Sequence, residues 1–426
     1  MSDFNRVVMT GMGAITASGH SLEDTWSAIL AGSQGLSEIK HWDLSSWSHH
    51  LGGEIKSFEP AKSLPDRKLM KVISKQDVLG INAAMQAVNH SGLLEYRNTL
   101  DSADDFNEQT AVYVGSPGNK YYQQYDFLPL LAKSKGQMTD FAEQLFSEVH
   151  PMWLLRILPN NVLAYTGITY GFKGVNHNIA NHAVSGTQAI IEAYHAIRQG
   201  QAERAVVVAY DVGTDPQSLF YYAKLGLTSA NDLKPFDSQQ DGTVLAEGAA
   251  AIVLESEAAA RQRGATCYAE VIAGSSGSEA RGLLSIEEDG RSLSDMLATT
   301  LAAHHVSVSD VGLVVAHGNG NPKSDQSEAK AIRSVFGDAA VPVTAFKWAM
   351  GHTLCASGIL DTALTACSLH RQCIPGVANL REISPECVGL DISSFERPYH
   401  TDKPYAVMIN RGFASMNACL VLKRYE

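Results

Sequence analysis

"HNIANHAVSGTQAIIEAYHAIRQGQAERAVVVAY", residues 177–210, joins a strand-like piece, a turn of small residues, an amphipathic helix and a β-branched run. A strand, a helix and a second strand in such close succession form the unit of an α/β protein with covered sheets. The turn His182-Ala183-Val184-Ser185-Gly186 stands where a helix begins, a setting that suits a nucleophile. Ala183 has no atom that can attack.

The same alternation extends outward in both directions. Apolar runs predict strands over 6–9, 111–114, 205–209, 250–254, 313–316, 341–344, 405–409 and 418–423. Helical spacing predicts helices over 21–31, 75–89, 186–199, 291–304, 327–336 and 357–370. Two strands, ending in "AVVVAYD" (205–211) and "LVVAHGNG" (313–320), deliver polar residues at their carboxyl ends, where function concentrates in α/β sheets. The stretch 101–165 breaks the alternation and reads as an excursion between core elements.

The 426 residues, 45% hydrophobic and 18% charged, have the composition of a globular chain with a large core, arranged as two domains or one duplicated fold. A net charge of −12 argues against nucleic acid, which needs a basic face to release counterions. No window is long and apolar enough for a membrane span, and the N-terminus has no basic start and apolar stretch of a signal peptide. A cytoplasmic location is expected. Six cysteines without C-x-x-C spacing read as separate reduced thiols, with no metal cluster.

Three later segments carry ionisable residues among small ones: "VVAHGNGNPKSDQSEAKAI" (314–332), "TAFKWAMGHTLCASGILDTALTAC" (344–367) and "VMINRGFASMNACLVLK" (407–423). Singly, they read as a turn histidine, a solvated lysine beside a capping histidine, and a hairpin. Together, their order resembles the β-ketoacyl-acyl-carrier-protein synthase and chain-length-factor family of condensing enzymes. "VVMTGMGAITASGHSLEDTWSAILAGSQGL" (7–36) is similar to that family's opening. "KPFDSQQDGTVLAEGAAAIVLE" (234–255) is similar to its Pro-Phe-Asp…Asp-Gly…Gly-Glu/Asp-Gly-Ala segment. "AHGNGNPKSDQSEAKAI" (316–332) resembles its His-Gly-Thr-Gly-Thr-x-x-x-Asp-x-x-Glu pattern, and "KWAMGH" (347–352) its Lys-Ser-Met-x-Gly-His.

The resemblance implies a thiolase-like duplicated α/β fold, five-layered α-β-α-β-α with two mixed sheets. It implies halves at 1–256, holding the nucleophile turn, and 257–426, holding His317, Lys347, His352 and a Gly-Phe loop. It also implies acyltransferase chemistry: decarboxylative Claisen condensation of acyl and malonyl groups on acyl carrier protein, in fatty acid or polyketide/polyene biosynthesis. His317 and His352 take the positions of the histidines that assist decarboxylation, Lys347 that of the organising lysine, and Glu328 that of its carboxylate partner. Paired imidazole N–H donors suit a thioester oxygen that gains negative charge.

Ala183 falls at the position of the family's nucleophilic cysteine, so the chain is not expected to form an acyl-enzyme. The alanine is either an introduced Cys→Ala change or a natural loss. Retention of His317, His352, Lys347 and Glu328 favours a divergent ketosynthase. The alternatives are a non-condensing chain-length-factor subunit partnering an active ketosynthase, or a malonyl-carrier-protein decarboxylase. Thiolase proper is disfavoured, because no second cysteine stands in a Cys-x-Gly setting near the C-terminus.

Other positions depart from the family pattern. Asn319 and Asn321 replace the threonines that hold the pantetheine arm, and Arg411 stands where phenylalanine is usual. Gly412 and Phe413 are kept, and Phe413 resembles the gating phenylalanine. Arg67, Lys68, Lys71 and Lys75 match the docking patch for acidic carrier protein. A homodimer, or a heterodimer with another ketosynthase-family subunit, is expected, with Tyr121, Tyr122, Phe127, Met138 and Phe141 lining an acyl tunnel at its interface. No bound cofactor or metal is implied; the substrates travel on the phosphopantetheine of acyl carrier protein.

Overall fold

The computed structural model describes residues 4–119, 122–337 and 341–426. Its main sheet has eleven strands: β1 (Val7–Thr16), β2 (Thr110–Gly115), β3 (Asn176–Ile179), β4 (Arg204–Val212), β5 (Glu247–Ser256), β6 (Ala269–Ser278), β7 (Val311–Val315), β8 (Pro342–Thr344), β9 (Asp391–Ile392), β10 (Tyr405–Gly412) and β11 (Met416–Arg424). Their order is β9-β8-β7-β10-β11-β6-β1-β5-β4-β2-β3. In the first half β3, β2 and β4 run parallel, and β4, β5 and β1 pair antiparallel. The second half repeats the scheme: β9, β8, β7 and β10 run parallel, then β10, β11 and β6 pair antiparallel.

The two expected mixed sheets are continuous with each other at one edge. Val7, Val8 and Met9 of β1 pair with Val271, Glu270 and Ala269 of β6, joining the halves edge to edge. Each half would otherwise leave a long row of unpaired backbone groups at that edge. β6 itself, "AEVIAGSSGS", escapes sequence reading because serines and glycines dilute its apolar signal. Its Gly274 is required by packing, since a Cβ there would lie 2.5 Å from Ile191 Cγ1.

The helices that matter for the site are α1 (Leu22–Leu30), α2 (Lys75–Ser91), α3 (Asn161–Tyr170), α4 (Ser185–Arg198), α5 (Pro216–Lys224), α6 (Arg291–Ala303), α7 (Pro322–Phe336) and α8 (Ser357–Arg371). Helix α2 covers β1, β5 and β4. Helices α4 and α8 touch each other and strands of both halves, while α6 lies on β6 and β11 and carries α7. The sheet thus folds around a central helix pair, giving five alternating layers.

Local chemistry sets the helix starts. Ser74 and Asp77 form a capping box at α2, and Ser21 caps α1 through the Asp24 N–H. Helix α7 starts five residues earlier than its apolar spacing suggests, because Asn321 caps it and Pro322 occupies the first turn. Helix α8 is buried from Ser357 to Leu369, as befits a helix packed on every side. Among the described residues no helix is long and apolar enough to cross a membrane.

Candidate active site

Ala183 sits two residues before the N-terminus of α4 and is completely buried. The turn is tied by Ser185, whose Oγ accepts from the Asn181 N–H (2.7 Å) and donates to the His182 carbonyl (2.7 Å). His182 adopts a left-handed backbone (φ +51°), a conformation that histidine tolerates better than bulkier or branched residues. Gly186 lets the turn seat closely, since a Cβ there would meet the Cys355 carbonyl at 2.8 Å. The positive end of the helix dipole at this start would stabilise a thiolate. The methyl of Ala183 takes no advantage of it.

His317 leaves the carboxyl end of β7, and Glu328 of α7 fixes its backbone. The carboxylate accepts from the N–H groups of His317 (2.6 Å) and Gly318 (3.0 Å). His317 Nδ1 accepts from the Arg411 N–H (3.3 Å), and His352 Nδ1 accepts from the Leu354 N–H (3.3 Å). Each ring therefore carries its proton on Nε2. The rings meet edge-on, with centroids 5.1 Å apart at 82°. Burial, then the charge of Lys347, holds His317 well below the usual histidine range, so it stays a neutral donor.

Lys347 is brought to the histidines, but its partner differs from the one expected. Its ammonium lies 2.8 Å from Asp361 Oδ2 on α8, whereas Glu328 is engaged with backbone N–H groups. A lone aspartate in the small apolar helix "SGILDTALTAC" was the available sequence signal for Asp361.

A cavity of about 480 Å³ opens over these groups, with His317, His352, Asn319, Asn321 and Arg411 in its wall. Asn321 is also the cap of α7, and its N–H donates to Asn319 Oδ1. Arg411 is fully engaged: Nη2 lies 2.7 Å from Glu279 Oε1, Nε donates to Asn417, and Nη1 to the Ser324 carbonyl. Burial raises the Asp325 carboxyl below this wall to about 8, and it accepts from the Phe236 N–H.

Gly412 and Phe413 form the far side. Phe413 stacks on His182 (4.3 Å, 11°) and Tyr222 (5.1 Å, 25°), and its N–H donates to His182 Nδ1 (3.3 Å). His182 Nε2 meets the Tyr222 hydroxyl at 2.5 Å. Tyr222 escapes the sequence reading, because its contact with His182 depends on α5 folding back over the turn.

The basic patch needs correction. Arg67, Lys68 and Lys71 are exposed on a short 3-10 turn, but Lys75 pairs with buried Glu247 (2.5 Å) and serves the fold. The described residues expected at a dimer-interface tunnel lie away from this cavity. Phe127 packs on Phe141 and Trp153, Met138 is exposed, and none of the three lines the cavity. Tyr121 and the Tyr122 side chain lie outside the described residues.

The N-terminal domain of beta-ketoacyl synthases matches residues 4–260, and the C-terminal domain matches residues 268–381. The chain is 29% identical over 433 residues to the 3-oxoacyl-[acyl-carrier-protein] synthase 2 of Staphylococcus aureus (strain COL), covering 100% of both chains. It is 29% identical over 439 residues to the enzyme of that name from Vibrio cholerae, covering 98% of this chain and 99% of the relative. A beta-ketoacyl synthase from Burkholderia phymatum STM815 has a TM-score of 0.87 at 25% identity, with 99% and 100% of the two chains covered. The ishigamide ketosynthase/chain length factor shares the fold, with a TM-score of 0.86 at 24% identity and the same coverage.

Proposed function

The chain belongs to the β-ketoacyl synthase family, and from that premise we propose that it acts on a malonyl-type thioester presented by acyl carrier protein, performing the decarboxylating half of the ketosynthase reaction. The observation that carries this reading is the pair of neutral histidines whose Nδ1 atoms are occupied by backbone N–H groups. That occupancy puts the proton of each ring on Nε2, and both rings line the cavity. As the bond to the malonyl carboxylate breaks, its electron pair moves to the thioester oxygen, and carbon dioxide departs. The donors of His317 and His352 stabilise that enolate oxygen, and each such donor contributes about 3–4 kcal/mol to a barrier of this kind. With no acyl group on Ala183, the enolate carbon takes a proton from solvent and leaves as an acetyl thioester.

The Lys347–Asp361 pair holds the site's shape, and burial, with the Lys347 charge after it, keeps His317 neutral. Arg67, Lys68 and Lys71 offer a positive surface for acidic carrier protein on a chain of net charge −12. Asn319 and Asn321 line the cavity, and in this reading they receive the pantetheine arm. The names of the curated relatives support carrier-protein substrates and fatty acid elongation as the setting. In a second reading, the chain partners an active ketosynthase that supplies the missing thiol; Ala183 favours it.

Carbon dioxide release from malonyl-loaded carrier protein tests the first reading. Release by the chain as it stands, abolished by His317→Ala or His352→Ala, supports it. Condensation only with a second subunit, and no release without it, supports the second.

A further inference from the structure

We propose that His182 and Tyr222, with Phe413 laid across them, form a plug that seals position 183 from the substrate cavity. His182 is thus a specificity-determining residue, limiting the site to a single thioester. This deepens the decarboxylating reading: the histidine pair lines the cavity, while the plug closes the acyl-receiving position.

The two rings are joined edge to edge by the Nε2–hydroxyl bond and lie within 14° of one plane. Phe413 covers both and is held by its own N–H on His182 Nδ1. His182, Tyr222 and Phe413 line the cavity, whereas Ala183 beneath them is completely buried and absent from its wall. Gly412 closes the remaining gap, because its position approaches both His182 Nδ1 and the Ala183 N–H closely enough that a Cβ would be 3.3–3.4 Å away.

The loop bearing Phe413 is tethered from outside as well. Ser415 Oγ lies 2.9 Å from both the Gly282 and the Ser285 carbonyl and shares its one proton between them, and the Ala414 N–H donates to the Leu283 carbonyl. Ala414 and Ser415 hold left-handed backbone, at φ +61° and +56°, that only strong anchoring sustains in non-glycine residues. Arg411 and Asn417 both bond Glu279, fixing the two strands that flank the loop.

The ground behind the plug is polar. The Cys355 N–H donates to Asp211 Oδ2 (3.3 Å), and Ser185 Oγ lies 3.8 Å from Cys355 Sγ. Burial, with Asp211, Cys355 and Asp215 nearby, keeps the Tyr222 phenol well above its usual range and therefore protonated. An alkyl chain entering there would lie against buried carboxylates and offer them no hydrogen bond. A plug that excludes it agrees with that lining.

Alkylation measures the seal without reference to turnover. Ala183→Cys is compared with Ala183→Cys/His182→Ala and Ala183→Cys/Tyr222→Phe, using iodoacetamide and peptide mapping to follow the new thiol. Rates are taken at the plateau of each pH profile, where the thiol is fully ionised, so that differences in its acidity drop out. The plug predicts alkylation at least about tenfold faster in either double variant than in Ala183→Cys alone. Tyr222→Phe keeps the ring and removes only the hydroxyl, so it answers the question even if His182→Ala fails to fold. Equal plateau rates in all folded variants would overturn the plug. Carbon dioxide release by the unmodified chain is a separate readout, so failure of the plug and failure of the decarboxylating reading are distinguishable.

Discussion

The Lys347 ammonium lies 2.8 Å from Asp361 Oδ2, both side chains are buried, and the charge reaches the His317 ring strongly enough to depress its basicity. Removing one partner strands the other charge in the core. Lys347→Met is expected to lower the unfolding free energy by about 3–5 kcal/mol, and Lys347→Met/Asp361→Leu by much less than twice that. Denaturant unfolding of both variants checks it; a single variant as stable as the parent contradicts the buried pair.

His317 is held below the usual histidine range by burial first, and by Lys347, His352, Arg411 and His182 after that. The folded ring refuses the proton that the unfolded chain accepts, so stability falls as pH drops below the ordinary value of 6.5. Carbon dioxide release should accordingly show no step from this ring between about pH 6 and 8, because the donor stays neutral throughout. A protonation-linked loss of rate near 6.5 that His317→Asn abolishes would contradict the assignment.

Asp325 titrates in the opposite sense. Its folded carboxyl is raised from 3.8 to about 8 by burial, so it stays protonated in the folded chain where the unfolded chain releases the proton. The resulting stability is complete below 3.8 and is lost as pH rises toward 8. Asp325→Asn should flatten the decline in denaturation midpoint over that window. An unchanged slope means that the group titrates normally.

Carrier-protein docking can be separated from structure. Reversing Arg67, Lys68 and Lys71 to glutamate is expected to raise the apparent KM for malonyl-loaded carrier protein by about tenfold, with a weaker salt dependence and an unchanged kcat. Lys75→Ala acts elsewhere, leaving Glu247 buried without its ammonium, at a cost of about 1–3 kcal/mol in stability. If the triple variant keeps its KM and salt dependence, docking occurs on another face.

The sequence revealed most of the fold because its strands are apolar throughout and its helices keep their spacing. It missed β6, whose "GSSGS" end pairs through backbone and packs by having no side chain at Gly274. The histidines and lysine were legible because motif order places them at strand ends and helix starts. The partners were harder to read. Asp361 is fourteen residues from Lys347, and Glu279 is 132 residues from Arg411. The His182–Tyr222 contact needs α5 in place before the two rings meet.

The measurement that tests the central claim most directly is carbon dioxide release from malonyl-loaded acyl carrier protein by the chain with Ala183 in place, beside His317→Ala and His352→Ala. The account predicts release with acetyl-carrier protein as the product, no condensation, and a loss of about 100-fold or more in each histidine variant. Folded protein that releases no more than those variants would contradict it.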